Sequence, residues 1–306
     1  MNTRTSLAVL ALSGVLATGL TACGDDEPEP VSSETGSDAA ATTTEAPTTT
    51  PTEPTSSPSE SESTPDAGAA PVYFTGDTPL GARLYREFRQ VEADNPLEEA
   101  AALLVAGDAL DPDSGTLLGG VTIDTVTQDD AAIVVTLGED SILKAGKGTS
   151  AEDASLAVQS LVYTLQGVAQ ARVPVRVVLA DGTPTDLFGQ PTAEGVTAAP
   201  ELDVLALVNL TTPEEGATAS GTLDVEGVAS SFEATVPYAV LDEAGKEVVS
   251  DFSTAEGWVD KLYPFTAEVD ISALAPGTYT FVARTDDPSG GEGPGAFEDT
   301  KTFTVG

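Results

Sequence analysis

The side chains able to do chemistry in this 306-residue chain form a narrow set, because it has no histidine and a single cysteine, Cys23. Without imidazole there is no Ser-His-Asp or Cys-His nucleophilic catalysis, no HExxH zinc site and no zinc-finger ligand set. Carboxylates, hydroxyls, Lys, Tyr and hard cations remain. Acidic residues cluster at Asp111-Pro112-Asp113, at Asp129-Asp130 and at Asp286-Asp287 with Glu292. Acidic, glycine-containing loops can supply the roughly six to eight oxygens that calcium takes, but none of these has EF-hand spacing. With 50 acidic residues in the chain, such clusters read as solvated loops, and no metal is assigned. A glycosidase pair is defined by a spatial separation of about 5–10 Å, not by spacing along the chain. Trp258, close to Lys261, Tyr263 and Phe265, offers either a stacking platform for a sugar or a plug at the end of a β-sandwich. Arg86 shares a strand face with Leu84 and Phe88, where a buried guanidinium needs either a local carboxylate or an anionic ligand. The candidate contacts are therefore Trp258, Tyr263 and Arg86, with no catalytic residue, no cofactor and no enzyme expected.

Cys23 carries different chemistry. Arg4 precedes a short apolar run from Leu7 to Leu20, too short for a bilayer core that takes about 20 residues to cross. The run ends in Leu20-Thr21-Ala22-Cys23, which resembles the lipobox of bacterial lipoproteins. The resemblance implies a signal peptide over 1–22, cleavage before Cys23 and diacylglycerol on its thiol. Two acyl chains anchor stably, since each buried CH₂ contributes about 0.8 kcal/mol. The expected location is extracytoplasmic, on the outer leaflet of the cell membrane. The Ala- and Asp-rich composition points to a high-GC Gram-positive source. The formal net charge of -38 argues against nucleic acid as a partner, since phosphates are neutralised by basic residues.

Residues 23–70 hold the lipidated cysteine and a tether dominated by Thr, Ser, Pro and Glu. Such a segment buries too little surface to offset its ordering entropy, so a disordered, extended stalk is expected. Order should begin near Val72, with Val72-Tyr73-Phe74 as a short strand ending at Gly76-Asp77. A strand from Arg83 to Val91 should follow. A helix starts with Asn95 as N-cap and Pro96 at its first position, carries Leu97, Ala100, Ala101, Leu104 and Val105, and stops at Gly107. Gly120 to Val126 and Ala132 to Leu137 alternate as two strands. Ser150-x-x-Asp153 opens a second helix with Ala154, Ala157, Leu161, Leu165 and Val168 on one stripe, and Val173 to Leu179 makes a last strand. The order implies an α+β domain with helices on one side of a sheet, placed at 71–199. From Pro200 no helix is evident. Seven short apolar runs between glycine-rich turns imply an all-β, immunoglobulin-like sandwich over 200–306.

The Val72-Tyr73-Phe74 opening, Arg86-Glu87, Pro96 to Gly107, the Val121 to Leu137 hairpin and Val175-Arg176-Val177 resemble a GerMN domain. Thr212-Pro213-Glu214-Glu215-Gly216-Ala217, Val225 to Ala229, Phe232 to Val236, Leu241 to Lys246 and Pro264-Phe265 resemble the Gmad-type immunoglobulin-like domain that accompanies it. The resemblance implies a sporulation or germination family without catalytic residues. The chain is then a non-catalytic envelope protein that docks or assembles with envelope proteins. The alternative is binding of a wall polymer such as peptidoglycan, or of a small ligand, by the same domains.

Overall fold

The computed structural model of the chain describes residues 68–287 and 289–306. Leu20, Thr21, Ala22 and Cys23, with the signal segment and the tether up to residue 67, lie outside the described residues. Strands β1 (Gly68–Thr78) and β2 (Gly81–Val91) form an antiparallel hairpin. β1 thus starts before Val72 and runs through Gly76-Asp77; the chain reverses only between Thr78 and Gly81, where Gly81 takes φ +97. Gly76 answers a different need. A Cβ there would lie 2.9 Å from the Tyr85 ring, so it marks a close approach inside a strand and not a turn.

Helix α1 (Pro96–Ala106) forms as its end signals dictate. Pro96 opens it, and Gly107, left-handed at φ 68, closes it by bonding the Leu103 and Leu104 carbonyls. Asn95 stands at the N-cap without bonding a helix N–H; its side chain donates to Glu98 instead. The short β3 (Ser114–Gly115) completes a sheet in the order β2-β1-β3. A second sheet is built from β4 (Ile123–Gln128), β5 (Ile133–Leu137) and β6 (Val175–Val178), with helix α2 (Ala151–Ala169) crossing over between the parallel strands β5 and β6. The expected α+β domain is present, with its strands divided between two sheets.

Ser150 Oγ accepts the Asp153 N–H (2.9 Å), so the N-cap of α2 is made as its sequence implies. Ala154, Ala157, Leu161 and Leu165 are buried along the expected stripe. Burial extends further round the helix, however. Val158 and Val162 join the same core as Phe74, Leu104 and Ile133, while Leu156 and Tyr163 pack on the other side with Leu84 and Leu205. The segment leaving the first domain covers that side: the Gln159 amide donates to Thr197 O (3.2 Å) and accepts Ala199 N–H (2.8 Å).

A single helical turn, α3 (Glu201–Val204), follows Pro200 where only strand was expected. Then come β7 (Val208–Thr212), β8 (Ala217–Ala219), β9 (Thr222–Ala229), β10 (Thr235–Leu241), β11 (Glu247–Thr254), β12 (Tyr263–Asp270), β13 (Gly277–Arg284) and β14 (Glu298–Val305). They form two sheets, β11-β10-β13-β14-β8 and β12-β9-β7, packed over Val225, Val236, Val240, Phe265, Phe281 and Phe303. This is the expected sandwich, with the short β8 added by parallel pairing to β14.

The two domains meet along β2. Leu84 bridges Leu205, the Ala206 N–H reaches Leu84 O (3.0 Å), and the Arg86 N–H reaches Asn209 Oδ1 (3.1 Å). An outer strand that would expose unpaired backbone groups is thereby covered.

Candidate functional site

Trp258 lies in the loop between β11 and β12, 40% exposed, and sets its ring edge-on against Phe232 (5.1 Å between centroids). Tyr263 opens β12 and is occupied otherwise. Its hydroxyl donates to Asp260 Oδ1 (2.8 Å), Lys261 Nζ lies 4.8 Å from its ring centroid, and Gly257 leaves just enough room for the ring to press on the backbone. The structure thus pairs Trp258 with Phe232 and Tyr263 with Lys261. Phe265 belongs to the sandwich core.

Arg86 finds no carboxylate partner: among the described residues no salt bridge involves it. Its guanidinium carbon lies 4.9 Å from the centroid of the Phe88 ring, a cation–π contact. Its Nε is the one side-chain nitrogen or oxygen, among the described residues, that is buried without a hydrogen-bond partner. The neighbouring Arg89 takes the acids instead, pairing with Glu87 (3.6 Å) and Asp108 (3.1 Å).

The acidic clusters separate by environment. Asp129 Oδ1 accepts the N–H groups of Ala131 (2.7 Å) and Ala132 (2.8 Å), and Asp287 accepts those of Ser289 (3.0 Å) and Gly291 (3.2 Å); both lie in loops, Asp129 exposed and Asp287 half-buried. The Ala131 and Ala132 N–H groups hold the Asp129 carboxyl below its ordinary value, and the Ser289 side chain, followed by the Ser289 and Gly291 N–H groups, does the same for Asp287. Glu92, Asp94 and Glu99, at the start of α1, bring three carboxylates within reach of one cation, but Glu99 already accepts the Glu92 N–H (2.7 Å). Asp111 behaves differently. It is buried in the joint between the domains, where Lys301 of β14 donates to it and to Asp299 (3.3 Å). Asp299 also accepts the Asn209 amide (3.1 Å) and the Leu210 N–H. Burial alone would lower the Lys301 ammonium, but Asp299 and Asp111 outweigh it and hold the group above its ordinary value. This group was hidden from sequence reasoning, which read Asp111 as a solvated loop acid. Its one signal was a lysine alternating inward on a strand, Lys301 between Asp299 and Phe303.

Two cavities flank this joint. One of about 290 Å³ is acidic, lined by Asp77, Asp111, Asp113, Glu298 and Asp299 around Tyr85. Burial, then Asp299 and the other acids, push the Tyr85 hydroxyl well up. The other, of about 170 Å³, is lined by Tyr73, Leu84, Arg86, Tyr163, Arg172, Glu201 and Leu205, with residues of the second domain opposite.

Residues 71–186 match the family model described as sporulation and spore germination, and residues 207–292 match the one described as the immunoglobulin-like domain of bacterial spore germination. Among solved structures, the tandem GerMN domains of the sporulation protein GerM from Bacillus subtilis are 14% identical over 68% of this chain and 63% of that one, with a TM-score of 0.34. CopC from Methylosinus trichosporium OB3b is 25% identical over 31% of this chain and 90% of that one, TM-score 0.21. An engineered protein is 16% identical over 56% of this chain and 40% of that one, TM-score 0.27. The chain thus spans less than two thirds of the GerM structure and of the engineered protein. No curated protein sequence matches it significantly.

Proposed function

We infer, from the premise that this chain joins a GerMN-type sporulation and spore-germination domain to a Gmad-type immunoglobulin-like domain, that it is a non-catalytic envelope protein working as a docking or assembly module. In this reading lipid on Cys23 holds it at the outer face of the membrane, and the tether carries the two domains away from the lipid surface.

One observation carries the docking role. The immunoglobulin-like domain leaves large apolar side chains in water: Phe252 is 60% exposed and Val259 62%, with Trp258 and Phe232 close to the same strand end. β11 is also the outermost strand of its sheet and almost fully exposed, so its free backbone edge suits pairing with a strand of another protein. Exposed apolar groups beside a free edge mark an interaction surface better than a substrate cleft.

In cells, a photo-crosslinking residue at 252 or 258 should trap discrete envelope proteins. Cys23→Ala should move the protein from the membrane fraction to the medium; a variant that stays on the membrane sinks the anchor. Trp258 keeps one alternative in view, binding of wall polymer. Retention on protein-free peptidoglycan, lost in Trp258→Ala, would favour it over protein docking. Cleavage of wall glycan by the purified protein, abolished by one carboxylate substitution, would overturn the non-catalytic reading.

A further inference from the structure

The cavity of about 170 Å³ between the domains has a composition that the docking role does not use. In a chain of net charge -38 two arginines line it, Arg86 and Arg172, and neither is in a salt bridge among the described residues. The Arg86 backbone N–H bonds Asn209, its guanidinium carbon lies 4.9 Å from the centroid of the Phe88 ring, and its Nε is buried without a partner. A buried, unpaired donor on a charged group is costly, so an acceptor in its reach is favoured. Arg172 stands at the exposed rim, with only a long contact of 3.5 Å to Gln166 Oε1.

The remaining walls fix the rest of the ligand. Tyr73 and Tyr163 hold their rings 5.2 Å apart, and Leu84 and Leu205 supply apolar surface. The Tyr163 hydroxyl is spent on Ala199 O (2.6 Å), which leaves its ring face as the contribution to the cavity. A cavity of roughly 150 Å³ takes a benzene-sized body. Glu201 also lines the space, accepting the Leu262 N–H (3.2 Å), and its negative charge disfavours a doubly charged phosphate. A single carboxylate matches the planar fork of arginine and tolerates that one acid.

We propose that this interdomain cavity binds a small monocarboxylate with an aromatic or apolar body, held by Arg86 and Arg172 against the Tyr73 and Tyr163 rings. The proposal is independent of the docking surface on β11, which lies on different residues, so the two stand or fall separately.

Benzoate titrated into the full chain, followed by calorimetry and by chemical shifts of the tyrosine rings, tests it. Saturable binding is expected, with benzamide, the uncharged isostere, at least tenfold weaker. Arg86→Gln and Arg172→Gln should each weaken benzoate at least tenfold, while Glu201→Gln should tighten it. Arg176→Gln, a cation outside the cavity, should leave it unchanged. Arg172 is exposed, so its variant keeps its fold and reads the charge alone. No saturable benzoate binding, equal binding of benzoate and benzamide, or an Arg172→Gln variant that binds as well as the parent would overturn the proposal.

Discussion

Lys301 shows how a single side chain can be decisive without being a site. Its ammonium, with only 7% of the side chain exposed, sits between Asp111 and Asp299, themselves 6% and 4% exposed. Removing one member of a buried ion group leaves the others uncompensated, which costs about 3–5 kcal/mol. Lys301→Ala should therefore lower the unfolding free energy by an amount in that range, read as a lower urea midpoint at unchanged slope, and replacing all three by apolar residues should cost far less. The pH dependence follows from the direction of its shift. A lysine whose folded value exceeds the unfolded value of 10.5 contributes fully below that pH and loses its contribution as pH rises through the folded value. Tyr85, also raised, acts in the same direction. The informative quantity is thus the difference between parent and Lys301→Met, which should shrink above pH 10.5 in melting experiments. Arg86 makes the opposite point: its strand face was legible from alternation, but its lack of a carboxylate was not, because Arg89 and not Arg86 faces Glu87 and Asp108.

At the scale of elements, local chemistry predicts well where it acts over a few residues. Ser150 caps α2 through one hydrogen bond, so Ser150→Ala should cost about 1 kcal/mol, read as a shift in unfolding midpoint with unchanged slope. Pro96 and Gly107 bound α1 for the same kind of reason. Glycine was harder to interpret. Gly76 resembled a turn but serves the Tyr85 ring, and Gly227 in β9 lets β7 approach. A Cβ at 227 would lie 2.6 Å from the backbone oxygen of Asn209. Since that atom cannot yield without breaking the β7–β9 pairing, Gly227→Ala should destabilise by about 1–3 kcal/mol. Faster hydrogen exchange at Val208 to Leu210 would confirm that the damage falls on β7.

For the whole molecule, the joint matters more than either domain. β2, the segment through Leu205 and Ala206, and the Lys301 group tie the two domains at several points, and the tie is made of buried groups. The intact chain should then unfold in one calorimetric transition. Asp111→Asn, which leaves Lys301 with Asp299 alone, should separate the transitions of the two domains. A parent protein that already shows two transitions would contradict this coupling. Tight coupling also bears on the docking role: a partner held at β11 would be held by a two-domain body and not by a loosely strung module.

What the sequence determined by itself was local or compositional. The missing histidine removed whole classes of chemistry, Pro96 and Gly107 set the ends of α1, Ser150 set the start of α2, and alternation in Thr278 to Val282 and in Phe265 to Val269 announced strands of a sandwich. These signals work because backbone hydrogen bonding and side-chain alternation are decided within a few neighbouring residues. Tertiary structure alone decided the rest: that α2 is buried on two sides, that Asp111 meets a lysine 190 residues away, and that Arg86 and Arg172 share a cavity. Those outcomes depend on which surfaces meet when the domains close on each other. Burial then converts an ordinary charge into one that must be paired, and no spacing along the chain records that conversion.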